Sequence, residues 1–179
     1  MKSPGEDNIK LFEKWYESDM TRLFSYVCYR VRERETAEEL TAAVLERAAE
    51  SLGRYDPAKG TMTAWMLGIA RYELMHYMRD ARSRNAPVSL EALPEIRAEG
   101  DSPEELAHNA LLMRSTLQQI TRLTEREQEL IALRYGADLP TEEIARVMGL
   151  TPGNVRVLLH RAIEKLQSLL ASVNEAENA

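Results

Sequence analysis

The chain has 179 residues but one cysteine, two phenylalanines and eight glycines. A single thiol, Cys28, excludes an intrachain disulfide and any zinc site built on cysteines. Cys28 lies among apolar and aromatic residues, where a buried inert thiol is the expected role. Scarce Phe and Gly count against a β-rich fold. No apolar run approaches the roughly 18 residues of a membrane-spanning helix, and no signal-peptide pattern opens the sequence. Membrane insertion is therefore not expected, and the expected location is the cytoplasm. Also missing are a Gly-rich phosphate loop, a nucleophile motif and metal-ligand spacing among His76, His108 and His160. No enzyme activity, cofactor or metal is expected.

What is present is helical. Segments rich in Ala, Leu, Glu and Arg, with 44% hydrophobic residues overall, predict an all-α protein. The net charge of −6 opposes nucleic-acid binding as a sum, but its distribution matters more. From 85 to 113 six acids face one Arg, a net of −5, whereas 71–84 and 151–172 each carry +2. Small basic faces on an acidic chain predict weak DNA binding alone and reliance on a larger partner.

Taken in order, residues 1–8 are polar and expected to fray. A helix is expected over Ile9–Glu33, with Ser18-Asp19 as the place for a break. Thr36 and Glu39 form the pattern of a capping box for a second helix ending before Gly53, with Leu40, Ala43, Val44 and Ala48 inward. The loop from Arg54 to Thr61 turns at Pro57 and Gly60. A third helix, Thr63–Arg84, puts Trp65, Ile69 and Leu74 or Met75 inward and Arg71, Tyr72, Arg79 and Arg82 outward. Arginines among aromatics suit single-stranded nucleic acid, pairing phosphates and stacking bases. Core aromatics with solvated arginines are the competing reading.

Residues 85–101 read as an acidic linker without sustained period. Ser102-Pro103-Glu104-Glu105 then starts a helix running through Ala107, Leu111, Leu112, Leu117 and Ile120. Thr124–Glu127 is a further capping box. Thr141 opens a short helix that Gly149 ends, and Thr151-Pro152 starts the next. Val155, Leu159, Ala162, Leu166 and Leu169 form the inner stripe of that last helix. Asn154, Arg156, Val157, His160 and Arg161 fall outside it. Two helices around a tight Gly-containing turn predict a helix-turn-helix aimed at a DNA major groove. Two small helical domains follow, 9–84 and 102–172, joined by a flexible linker, the C-terminal one a helix-turn-helix.

AEELTAAVLERA followed by TAWMLGIARYELMHYMR resembles region two of the bacterial RNA polymerase sigma factors. LTEREQELIALRYGADLPTEEIARVMGLTPGNVRVLLHRAIEKL resembles their region four. With only these regions and a short linker, the chain resembles the extracytoplasmic-function group of the sigma-70 family. The resemblance implies a factor that binds core RNA polymerase, at its β′ clamp and β flap, and recognises promoter DNA. It further implies an anti-sigma partner. Glu38, Glu39, Leu40, Val44 and Arg47 would dock on the clamp. Tyr55, Asp56, Lys59, Thr61 and Met62 would capture a base flipped from the −10 element, and Arg71, Tyr72, Arg79 and Arg82 would follow the melting strand. Thr151, Gly153, Asn154, Arg156, Val157, His160 and Arg161 would meet the −35 duplex. Tyr72 stands where the family often has Asn, and Val157-Leu158 where it often has Ser-Arg. An autonomous dimeric helix-turn-helix regulator of the response-regulator type is the alternative, since LTEREQELI…EEIARVMGLTPGNV resembles that motif too.

Overall fold

Helix α1 (Pro4–Val31) begins within the polar N-terminal stretch and passes unbroken through Ser18-Asp19. Ser18 lies within the helix, its hydroxyl donating back to the Lys14 carbonyl 3.1 Å away. The structure, a computed structural model, describes residues 4–31, 33–83 and 115–177, with side chains over 7–31, 33–80 and 115–173. The expected linker, the Ser102–Glu105 helix start and the side chain of Arg82 lie outside the described residues. Asn8 is buried rather than frayed. Its amide donates to the carbonyls of Leu52 (3.0 Å) and Tyr55 (2.9 Å), tying the N-terminal turn to the loop after the second helix.

Helix α2 (Arg34–Ser51) starts two residues before Thr36, with Glu33 at its N-cap. The capping box expected at Thr36 and Glu39 therefore does not form. Thr36 is already inside the first turn, and its hydroxyl donates to the Glu33 carboxylate at 2.7 Å. Ala37, Thr41, Val44 and Ala48 face inward. A short 3₁₀ turn (Leu52–Arg54) leads to the loop, where Asp56 accepts from the Ala58 amide (3.0 Å) in an Asx turn. Thr61 ends the loop by accepting from the Ala64 amide at 3.2 Å, and so caps α3 (Met62–Ser83). Within α3, Leu74 is buried and Met75 is exposed.

The second module opens with α4, described over 115–120. The expected capping box at Thr124 is formed with Glu127 and starts α5 (Glu125–Ile131). A π-turn (Ala132–Gly136) follows, and Asp138 takes a left-handed φ of 49° before α6 (Thr141–Met148). Gly149 ends α6 with φ of 66°, a conformation that costs other L-residues roughly 1–2 kcal/mol. Thr151 accepts from the Asn154 amide (3.3 Å) at the start of α7 (Pro152–Glu177). The helix-turn-helix is formed as expected.

The described residues contain helices and no strand. Their packing holds a further finding, because one core runs through both modules. Leu23 and Val27 of α1, Val44 of α2, and Met66 and Leu67 of α3 belong to the same buried cluster as Leu130, Leu133, Leu139 and Ile144. The π-turn lies against α1, and α6 lies against α3. Gly136 marks the tightest point of the seam. A Cβ there would meet the Tyr29 ring at 3.1 Å and the Ser25 carbonyl at 3.3 Å. A smaller cluster of Leu117, Ile120, Leu123, Ile131 and Ala162 holds α4, α5 and α7 together.

Candidate nucleic-acid interface

Between the loop and the two flanking helices lies an open cavity of about 560 Å³. Tyr55, Asp56, Lys59, Thr61, Trp65 and Tyr72 line it from the first module. Tyr55 and Trp65 pack with ring centroids 5.4 Å apart, and the Tyr55 hydroxyl donates to the Gly60 carbonyl at 3.1 Å. Burial, with the Asp56 carboxylate beside it, raises the pKa of Tyr55 and keeps it a neutral donor. Tyr55 thus shapes the loop. Arg47 reaches in from α2, with its guanidinium 4.9 Å from the Tyr72 ring centre and paired with Glu73. A planar base would find aromatic faces here, and its phosphate would find Arg54 and Lys59.

The residues expected to capture the flipped base and to follow the melting strand separate on the structure. Met62 is buried beneath the loop and offers no surface. Tyr72 is exposed and packs against His76, ring centroids 4.3 Å apart with the rings tilted by 55°. His76 in turn contacts Arg79 at 2.9 Å. Arg71 points elsewhere, to Glu129 of the second module. Among the docking residues, Glu38 and Glu39 are exposed and Leu40 is half-buried. Val44 is fully buried, and Arg47 turns toward the cavity. Val44 departs from the expectation, because the inward stripe of α2 cannot also face a partner, whereas Arg47 stays exposed.

On α7 the arrangement is simpler. Thr151, Gly153, Asn154, Arg156, Val157, His160 and Arg161 are all exposed on one end of the helix. Arg156 lies 3.3 Å from Glu142 of α6, and His160 lies 3.6 Å from Glu164. Leu158 is half-buried and packs against the core. This face carries donors and one exposed apolar side chain, Val157, a set suited to base edges in a major groove.

Sequence reasoning missed the residues that join the modules. Glu129, 12% exposed, takes Arg71 at 2.5 Å. The Thr61 hydroxyl donates to Glu143 at 3.1 Å. Asp138 lies 3.5 Å from Arg22. Arg146 and Val147 of α6 close one side of the cavity. Nothing in the periodicity of either module foretells these pairs, which depend on how the two faces meet. The one available signal is charge, since 125–148 carries six acids and three bases against the cationic 71–84.

Residues 15–84 match the family description Sigma-70 region 2, and residues 113–166 match Sigma-70, region 4. RNA polymerase sigma factor CarQ of Myxococcus xanthus is 30% identical over 165 residues, covering 90% of each chain. ECF RNA polymerase sigma factor BldN of Streptomyces coelicolor is 31% identical over 159 residues. That alignment covers 89% of this chain and 60% of BldN, so the chain spans only part of that relative's length. Among solved structures, the fold is similar to sigma factor RpoE in complex with the anti-sigma factor NepR from Bartonella quintana. The TM-score is 0.69 at 20% identity, covering 89% of this chain and 96% of that one. CnrH in complex with the cytosolic domain of CnrY gives a TM-score of 0.68 at 18% identity, covering 94% and 93%. Two region matches in this order, on a helical fold with an exposed helix-turn-helix, place the chain in the sigma-70 family of RNA polymerase sigma factors, in its extracytoplasmic-function group.

Proposed function

We propose that this chain binds core RNA polymerase and directs it to promoters by reading two separated elements with its two modules. The observation that carries the reading is the pairing of unlike DNA surfaces on one chain. The cavity of loop and α3 has aromatic walls and cations for an unstacked base. The face of α7 presents Asn154, Arg156, Val157, His160 and Arg161 as duplex readers. Glu38, Glu39 and Leu40 on α2 supply the surface for the β′ clamp, and the second module docks on the β flap. Promoter melting needs no bond chemistry from the chain, so its residues bind and orient rather than catalyse. Work beside polymerase places it in the cytoplasm. No described helix is long and apolar enough to cross a membrane. An anti-sigma partner completes the set, since the similar sigma factor RpoE was solved in complex with the anti-sigma factor NepR.

The test is reconstitution. Core polymerase supplemented with the chain is expected to start transcripts from a subset of genomic fragments, with shared sequences upstream of the start sites. Absence of any specific start, or failure to bind core, would refute the reading. A gel shift on the same fragments separates it from an autonomous regulator, which would bind duplex DNA without core.

A further inference from the structure

Trp65, Gly68 and Tyr72 follow one another at spacings of three and four along α3, and all three line the cavity. Two aromatic side chains on one helix face thus flank a position with no side chain. Glycine weakens a helix interior because it gives up the most chain freedom on folding. Packing does not require it here, since a Cβ at Gly68 would meet nothing within 4 Å. The missing side chain leaves an open slot between Trp65 and Tyr72. The walls around it are cationic: Arg47, Arg54, Lys59 and Arg146 stand against one acid, Asp56, on a chain of net charge −6. Arg47 is paired with Glu73, and Lys59 lies 3.7 Å from Asp56. Arg54 and Arg146 are exposed and have no ion-pair partner among the described residues. A second cavity of about 330 Å³ adjoins the first and shares Tyr55, Lys59, Gly60, Thr61 and Arg146 with it, without Trp65 or Tyr72.

We propose that the two cavities together form a binding site for a free nucleoside polyphosphate, its base in the slot at Gly68 and its phosphates at Arg54, Lys59 and Arg146. The larger cavity, about 560 Å³, lies within the roughly 300–1,000 Å³ of small-molecule sites. A base offers π-faces to Trp65 and Tyr72, a contact that tolerates any base. The guanidinium groups of Arg54 and Arg146 present forked N–H donors to phosphate oxygens, and Lys59 adds a point charge beside them. An apolar solute would leave these cations without acceptors, and a bare anion would leave the slot unfilled. The two halves therefore select a ligand that is both planar and polyanionic. Arg146 distinguishes this site from the surface assigned to the −10 strand, because it belongs to α6 of the second module. A ligand gripped from both modules stabilises the fold by mass action. The nucleotide is an effector of the chain and undergoes no reaction there.

The inference rests on the cavity alone, so it stands or falls apart from the promoter reading. Isothermal titration calorimetry on the free full-length chain tests it, with ATP and GTP as probes and adenosine and inorganic tripolyphosphate as their two halves. Either triphosphate is expected to bind with a Kd at or below about 0.1 mM, to quench the emission of Trp65 and to raise the Tm. Each half is expected to bind at least about tenfold more weakly. Gly68→Leu fills the slot with a strong helix former. It should raise the Tm of the unliganded chain and weaken triphosphate binding about tenfold or more. Arg146 is exposed, so Arg146→Gln spares the fold. It should weaken the triphosphates about tenfold and leave adenosine binding as it was. No saturable binding of either triphosphate up to about 5 mM would overturn the proposal. Tripolyphosphate binding as tightly as ATP would also overturn it, by revealing a cationic surface without a base slot. Equal triphosphate affinity in wild type, Gly68→Leu and Arg146→Gln would put the nucleotide elsewhere and remove the site.

Discussion

The two surfaces proposed to face DNA are presented in opposite ways. The α7 face stands free in solvent, organised by short-range features of its own segment: the Thr151 cap, the Gly149 turn and the inward stripe. The loop–α3 face is roofed by α6 and neutralised by Glu129 and Glu143, side chains more than fifty residues away. A surface that reads duplex DNA can remain open at little risk when its charge is small. A surface that stacks bases on aromatic rings is apolar as well as cationic, and covering it removes that apolar area from water. The difference teaches that the chain's independence is limited on the −10 side, not on the −35 side.

The largest expected effect comes from the shared core. Leu133 is fully buried at the seam, and Leu133→Ala is expected to cost about 3 kcal/mol in thermal or denaturant unfolding. A fall confined to one of two separate transitions would show that the modules do not fold as one unit. Gly136→Val presses bulk onto the Tyr29 ring and the Ser25 carbonyl, with an expected loss of about 2 kcal/mol by the same measurement. On the open side, Arg156→Ala should weaken holoenzyme binding to −35 duplex by roughly 1–3 kcal/mol if the guanidinium reads a base. Its effect on melted −10 DNA should be nil. Smaller still is the Thr124 cap, where Thr124→Ala is expected to cost about 1 kcal/mol.

That cap also sets a pH dependence. Burial, the largest single influence on Glu127, raises its pKa. The backbone amide of Thr124, the Lys165 ammonium and the Thr124 hydroxyl together outweigh it, and the net pKa is lowered. A depressed carboxylate stabilises the fold above its unfolded value of about 4.3. The contribution is lost as pH falls through the lower folded value. The stability gap between wild type and Glu127→Gln should therefore shrink in acid, as read by urea midpoints from pH 7 down to pH 3. Cys28 gives the smallest signal. Burial pushes its thiol up to about 11, so the native chain should resist thiol reagents at pH 8 and react once unfolded.

How much of this was legible in the sequence follows from the range of each interaction. The helix-turn-helix, the Thr124 box and the Gly149 and Thr151 caps rest on residues three to five apart, and each was found where the sequence placed it. The box expected at Thr36 failed because Glu33, an equally near residue, starts the helix earlier. Val44 was assigned two faces at once, and burial settles it inward. Asn8 and the cross-module carboxylates were not legible. Their partners lie far along the chain, and no local period carries that information.

The central claim is that two modules packed on one core in the free chain read two separated promoter elements once polymerase is bound. The most direct measurement is the distance between the Thr61 loop and α6, read by paired spin labels in the free chain and in the holoenzyme. A short distance in the free chain, replaced in the holoenzyme by one of tens of ångströms, is the expected result. A distance that is the same in both, whether short or long, would contradict the account.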